Sequence, residues 1–392
     1  MKNLDPRLYF KSKAIKITQG NIIMRSKLVK GAIASALIMA GLSQANAIEV
    51  MNNGTTSIDT RGWLRLSLHS TDDTDEFTDS GSRWGLNFNH KIENDWTVGV
   101  TYEWATNFEK NTNLKLTGDA SLQNGSSGES LSSRLGFVHA SHEKWGSIAV
   151  GKQWGVYYDI VNVTDVLNYF GGNATGVYNF NGDGGLSGTG RAEQAISWRK
   201  SYNNLNVALQ LQMQDEPVDN EDGTFEIATM GNGYGLAVSY NFDNFTLGAA
   251  YNLNEIEFAS GIPISNADDV ATAISATYGS SAQGFHVAFS GVVSENHEII
   301  ENNIFMDATG SELYLRYSFE SDIGVYGGYN LLESDESDNQ YELYFSFVGA
   351  DYKFENGFGL LFAEAKVNDN KTSLGADGDD STEVAVGIRI NL

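Results

Sequence analysis

The side chains of this sequence best placed to do chemistry are basic ones at strand spacing. Ile58, Thr60, Gly62, Leu64, Leu66 and Leu68 share one face of a period-two stretch, and Asp59, Arg61, Trp63, Arg65, Ser67 and His69 share the other. Arg61 and Arg65 therefore point the same way. Arg83, Arg134 and Lys152 hold polar-face positions in later stretches of the same kind, and Arg191 and Arg199 fall in one more. Arginine stays charged at any working pH. A row of such cations facing carboxylates sets a transverse field across an aqueous passage and tunes which ions pass. The competing reading is that these cations merely pair with wall acids such as Asp59 and Glu193. Nothing comparable marks a catalytic centre. The six histidines (His69, His90, His139, His142, His286 and His297) lack carboxylates at metal-ligand spacing, and cysteine is absent, which removes disulfides and thiol catalysis. No serine is marked by an adjacent base and an orienting group. No enzyme activity and no cofactor are expected.

Charge bounds the partners. The formal net charge is −25, an acid excess that excludes nucleic acid as a partner. It is also unevenly placed. Residues 1–47 hold eight of the 25 Lys+Arg and one of the 50 Asp+Glu, leaving 17 basic and 49 acidic residues beyond them. Within that N-terminal part, Met24 to Lys30 is basic, Gly31 to Leu42 is apolar, and Ala45-Asn46-Ala47 has the small-x-small form of a cleavage site. That order predicts a secretory signal peptide starting at Met24, preceded by an overhang and cut after Ala47, with 48–392 as the working domain. The acid excess gathers in three runs, Asp72/Asp73/Asp75/Glu76, Glu333/Asp335/Glu336/Asp338 and Asp377/Asp379/Asp380, which are candidates for divalent cations.

Period two recurs along the whole domain. Sixteen stretches carry it: 57–68, 82–92, 96–107, 131–142, 146–155, 191–200, 204–214, 233–242, 245–257, 269–280, 284–294, 308–319, 323–332, 340–354, 357–367 and 382–392. Their connections alternate in length. Glu93-Asn94-Asp95, Glu143-Lys144-Trp145, Ser201-Tyr202-Asn203, Asp243-Asn244, Ser281-Ala282-Gln283, Glu320-Ser321-Asp322 and Glu355-Asn356 are tight turns of the usual turn residues. The other connections are longer, and Pro217 and Pro263 fall in them. This rhythm predicts an all-β, sixteen-stranded antiparallel transmembrane barrel. Lipid offers no hydrogen bonds, so a spanning sheet must close on itself. Sixteen strands enclose more room than side chains fill, which leaves an aqueous channel. Trp96, Trp104, Tyr157, Tyr158, Trp198, Tyr202, Phe242, Phe245, Phe354 and Phe358 are candidates for the interfacial girdles. The third long connection, 156–190, is the outlier. Its length predicts a functional loop, folded inward to narrow the channel against the basic wall.

The run Gly151-Lys152-Gln153-Trp154-Gly155-Val156-Tyr157-Tyr158-Asp159, followed by Thr164-Asp165 and Phe170-Gly171-Gly172, closely resembles the trimeric general porins of Gram-negative outer membranes. Ser82-Arg83-Trp84-Gly85-Leu86, Ser133-Arg134-Leu135-Gly136-Phe137 and Gly188-Thr189-Gly190-Arg191 extend the resemblance. It implies a homotrimer in outer-membrane lipid and lipopolysaccharide that passes ions and small hydrophilic solutes. It also implies roles. Arg83, Arg134 and Arg191 would form the basic cluster, and Asp165 would be the loop carboxylate opposite; Arg61, Arg65 and Lys152 join the pore lining from the strand alternation alone. Two positions depart from the family pattern. Tyr169 stands where many relatives place a second loop acid, and Trp63 where a wall lysine is common. The chain also ends in Leu392 where relatives favour an aromatic. Ion preference therefore stays open. So do a substrate-selective channel for sugars or anions, with Tyr157, Tyr158, Tyr169 and Tyr178 as an aromatic track, and an adhesive barrel binding surface ligands through its acidic loops.

Overall fold

The computed structural model describes residues 48–107, 113–116, 122–125, 131–178, 182–219, 225–259, 268–300, 304–376, 378 and 380–392. The signal-peptide expectation for 1–47 lies outside the described residues, as do Pro263, Asp377 and Asp379. In chain order the strands are β1 (Glu49–Asn52), β2 (Thr56–Ser70), β3 (Asp75–Asp79), β4 (Arg83–Lys91), β5 (Thr97–Thr106), β6 (Asn113–Leu116) and β7 (Leu122–Gly125). Then come β8 (Leu131–His142), β9 (Gly146–Lys152), β10 (Ala195–Tyr202), β11 (Leu205–Gln212), β12 (Glu216–Asp219), β13 (Glu226–Phe242) and β14 (Phe245–Phe258). The last are β15 (Asp269–Gly279), β16 (Gly284–Ile300), β17 (Ile304–Ser318), β18 (Ile323–Ser334), β19 (Glu342–Lys353), β20 (Gly359–Asn368) and β21 (Thr382–Asn391).

Nineteen of these form one sheet, with β6 and β7 a separate hairpin. β3 and β4 share one barrel position, β11 and β12 share another, and β1 prolongs the position of β21, so sixteen positions go round the barrel. All pairings are antiparallel, and the last strand pairs with the first in the register Trp63↔Asn391 to Ser70↔Val384. Where β21 ends, β1 takes over. The Leu392 N–H donates to Gly62 O at 3.0 Å and the Thr60 N–H donates to Ile48 O at 3.0 Å. The edge of β2 is thus covered along its length, as a sheet in lipid requires.

Local chemistry accounts for the rhythm. Asn203 and Asp243 sit at φ 55° and 46° in their hairpin turns, the left-handed region that Asn and Asp tolerate. No helix among the described residues is long and apolar enough to cross a membrane, so crossing falls to the strands. Their outward residues are large, apolar and exposed: Leu86, Val100, Val150, Leu236, Ile274, Val348 and Leu361 among them, with Val348 at 65%. A girdle of exposed aromatics follows the tight turns, through Trp145, Tyr202, Phe242, Phe245, Phe285, Phe319, Tyr352 and Phe358.

Several expectations need correction. Tyr157 and Tyr158 belong to no girdle; they are 0% and 5% exposed, inside the barrel. Pro217 lies in β12, which among the described residues pairs with β13 alone, the edge-strand setting in which proline is tolerated. The hairpin β16–β17 runs out to Ile300 and Ile304, where a loop over 295–307 was expected. A bulge between Ser294 and Glu298 shifts the register there and breaks the period-two pattern. β10 begins at Ala195, so Arg191 is on the loop leading into the strand and not on the strand itself.

Candidate functional site

The connection between β9 and β10 folds into the barrel, and the far wall holds it. Its first turn is a short helix, Tyr158–Val161. Val156, Tyr157, Ile160, Val161 and Val177 pack on a wall of small side chains, Ala208, Ala237, Ala250, Ala271 and Ala273, with Val292. Small residues on the inner face leave room for the loop, so that part of the lumen is a packed core. Polar wall groups then meet the loop backbone. Glu364 of β20 accepts the N–H of Asn168 at 2.6 Å, of Tyr169 at 2.8 Å and of Phe170 at 3.3 Å, plus the Tyr326 hydroxyl at 2.8 Å. Glu312 of β17 accepts from the Thr164 hydroxyl at 2.5 Å and the Ala174 N–H at 3.2 Å. Asn330 accepts the N–H groups of Asn173 and Ala174, and Gln210 accepts that of Val156. His297, paired with Asp269 at 2.5 Å, meets Gly176 O at 2.7 Å.

The wall approaches the loop closely at Gly310, where an added Cβ would overlap the Ala174 carbonyl oxygen. Gly310→Ala should therefore push residues 173–175 off the wall and lower stability by roughly 1–3 kcal/mol, the usual cost of overpacking. The urea midpoint of the reconstituted barrel measures it, and an unshifted midpoint would contradict the contact.

The basic residues lie on β2, β4, β8 and β9 and at the loop exit; the Glu364 anchor on β20 is only two barrel positions from β2 and lies within electrostatic reach of Arg65. Arg61 and Arg134 both pair with Glu103 of β5, at 2.9 and 3.0 Å. Arg191 pairs with Asp183 at 2.7 Å, and Lys152 with Glu193 at 2.5 Å and Asp183 at 3.5 Å. Burial pushes the Asp183 carboxyl up, but Arg191 and Lys152 outweigh burial and hold it below its ordinary range. Arg199 pairs with Asp159 at 2.7 Å. Pairing with neighbouring acids thus holds for five of the cations, and Glu193 is one of the acids named from sequence.

Arg83 lies within electrostatic reach of Arg134, Glu103, Arg65 and Arg191, so the cluster does gather, with Arg191 reaching it from the loop. Arg65 Nε donates to Ser80 O at 2.6 Å and is within electrostatic reach of Asp165. Asp165 forms no ion pair with a described residue; it accepts from the Tyr158 and Tyr178 hydroxyls at 2.6 and 3.0 Å. The Tyr169 ring lies 4.8 Å from that of His69, while its backbone joins the Glu364 anchor. No three carboxylate or imidazole groups among the described residues converge as a metal site.

Sequence reasoning missed Glu103, Glu312, Glu364 and Arg389. Each follows the inward alternation of its strand: Thr101 and Glu103, Glu312 and Tyr314, Phe362 and Glu364, and Ala385 through Arg389. An acid on the inward row of a barrel strand was the available signal. Arg389 becomes a neighbour of Arg65 only through the closing register, in which the two face each other.

A closed antiparallel barrel with an apolar exterior and a loop held across a charged lumen is a transmembrane pore. The Gram-negative porin family matches residues 32–392, and the chain belongs to that family. It is similar to the outer membrane porin OmpD of Salmonella typhimurium, 26% identical, with 94% of this chain and 96% of that one covered. In fold it is similar to Salmonella typhi OmpF solved with daunomycin, 20% identical with a TM-score of 0.69, covering 88% of this chain and 99% of that one. It also matches the trimer form of OmpT from Vibrio cholerae, 18% identical with a TM-score of 0.60, covering 86% and 99%. The chain is an outer-membrane porin, a water-filled channel for passive diffusion of ions and small hydrophilic solutes.

Proposed function

We propose that the waist between the inward loop and the arginine wall is the constriction of this pore, and that the chain works as a homotrimer with one pore per subunit. One observation supports the constriction: the loop is anchored to β17, β18 and β20 by buried acceptors, and its Asp165 lies within electrostatic reach of Arg65, its Tyr178 within reach of Arg191 and Arg134. A loop fixed on one wall and cations on the other set a field transverse to flow. Arg61 and Arg134, which share Glu103, and Lys152 and Arg191, paired with Glu193 and Asp183, contribute less than Arg65 and Arg83, because each has a carboxylate partner. Tyr169 narrows the passage sterically at the loop tip. The trimer reading is supported by the likeness to the OmpT trimer form. The exposed acidic runs, Asp72 to Glu76 among them, fit divalent cations bridging to lipopolysaccharide.

The purified protein in a planar bilayer should give ohmic conductance that closes in triplet steps. Absence of conductance would remove the pore reading, and closure in single independent steps would remove the trimer.

A further inference from the structure

The cations of the waist fall into two groups. Arg61, Arg134, Lys152, Arg191 and Arg199 each have a carboxylate partner. Arg65, Arg83 and Arg389 have none within ion-pair distance among the described residues, and these three surround one indole. Their guanidinium carbons lie 5.9, 3.7 and 5.2 Å from the Trp63 ring centroid. The registers produce this arrangement. Trp63 faces Arg83 across β2 and β4, and Arg65 faces Arg389 across the closing pair β2 and β21. Like charges directly opposite in a ladder are destabilising.

The acids within electrostatic reach of Arg65 are engaged elsewhere: Asp165 by two phenols, Glu364 by three loop N–H groups and a hydroxyl, and Asp79 by the N–H groups of Gly81 and Ser82. Donors outnumber acceptors here. Trp63 Nε1, Arg83 Nε and Arg389 Nε meet no protein acceptor among the described residues, and Arg389 Nη1 makes only a 3.4 Å contact with Asn168 Oδ1 of the loop.

We propose that Arg65, Arg83 and Arg389, arrayed around Trp63, form a saturable binding site for organic carboxylates passing through the pore. The proposal rests on the waist being the constriction. A carboxylate is flat and presents two oxygens in the spacing of a guanidinium fork, so it binds in two-point fashion. A halide has the charge without that geometry, and a sugar has neither. The indole attracts cations to its face and keeps the guanidiniums from folding away, so the site is formed before the solute arrives. The facing pair Arg65 and Arg389 is relieved of its mutual repulsion while the anion is bound.

The test is a titration of sodium succinate into the trimeric protein conducting KCl in a planar bilayer. The chloride current should fall along a saturating curve. In Arg83→Gln/Arg389→Gln the half-blocking concentration should rise by about tenfold or more, the effect expected when charge-assisted pairs are lost. Arg389→Lys keeps the charge but loses the planar fork, and should raise it as well; this variant retains a cation in the seam and so guards against a double variant that does not assemble. A linear, non-saturating fall overturns the site. So does a half-blocking concentration unchanged in both variants. Loss of KCl conductance in the unaltered protein would instead overturn the constriction and pore reading, so the two failures are distinguishable.

Discussion

Replacing Arg83, Arg134 and Arg191 together by glutamine is expected to move the reversal potential in a salt gradient strongly toward cation preference. The three sites do not act alike. Arg83 has no acid partner among the described residues, so its loss removes one positive charge from the lumen. Arg134 and Arg191 are paired, so their loss also leaves Glu103 with Arg61 alone and Asp183 with Lys152 alone. A unit charge about 8 Å from a passing ion is worth roughly 0.5–2 kcal/mol between bulk-water and protein-surface dielectrics. Three such changes shift the cation-to-anion permeability ratio by about tenfold or more, since ~1.4 kcal/mol is a factor of ten. The shift should shrink as salt rises and screening shortens the reach of each charge. Glu103→Gln should move the potential the opposite way. A triple variant with an unmoved reversal potential means these residues do not line the constriction.

The second large effect is expected at Glu364. Its carboxylate serves three consecutive loop N–H groups and the Tyr326 hydroxyl, and its residue is 2% exposed. In Glu364→Ala those donors lose their acceptor in a buried place, at roughly 1–3 kcal/mol for each donor left unsatisfied. The loop tip Asn168–Phe170 should leave the wall. Single-channel records should then show a larger and noisier current, and larger neutral sugars should pass in a vesicle-swelling assay. Glu364→Gln keeps one acceptor oxygen and should fall between the two. Unchanged conductance in the alanine variant would show that the loop is held by its other anchors, Glu312 and Asn330.

The barrel was legible because strand alternation and turn chemistry are local. Asn203 and Asp243 announce hairpins by side-chain type alone, and Val384 through Leu392 show their two faces without help from any other segment. Contacts made inside the barrel were not legible in that way. Tyr157 and Tyr158 read as interfacial aromatics because their flanking strand suggests it, yet a loop folded inward buries them against Ala208 and Ala250. Arg191 read as a strand residue because the pattern of β10 continues plausibly upstream of Ala195. Its pairing with Asp183, eight positions earlier, depends on how the loop returns. Arg389 sits on the polar face that alternation assigns to it, but only closure of the sheet places it opposite Arg65. The distribution of charge among paired and unpaired arginines is thus a property of register, which no single strand encodes.

The seam where β21 and β1 meet β2 also bears on when this protein can fold. The hydrogen-bonded side chains of His69 and Glu383 are 314 positions apart in the chain. Pairings of that sequence separation form late and slowly, because the entropy of closing so long a loop must be met before any contact across it is gained. Every other barrel pairing joins strands of neighbouring positions along the chain, but one edge of β2 must wait for the last residues to arrive. Until then its edge is an open template for other strands. The expected rate-limiting step is seam closure, and cross-linking cysteines placed at Leu66 and Ile388, which face each other in the ladder, would time it directly.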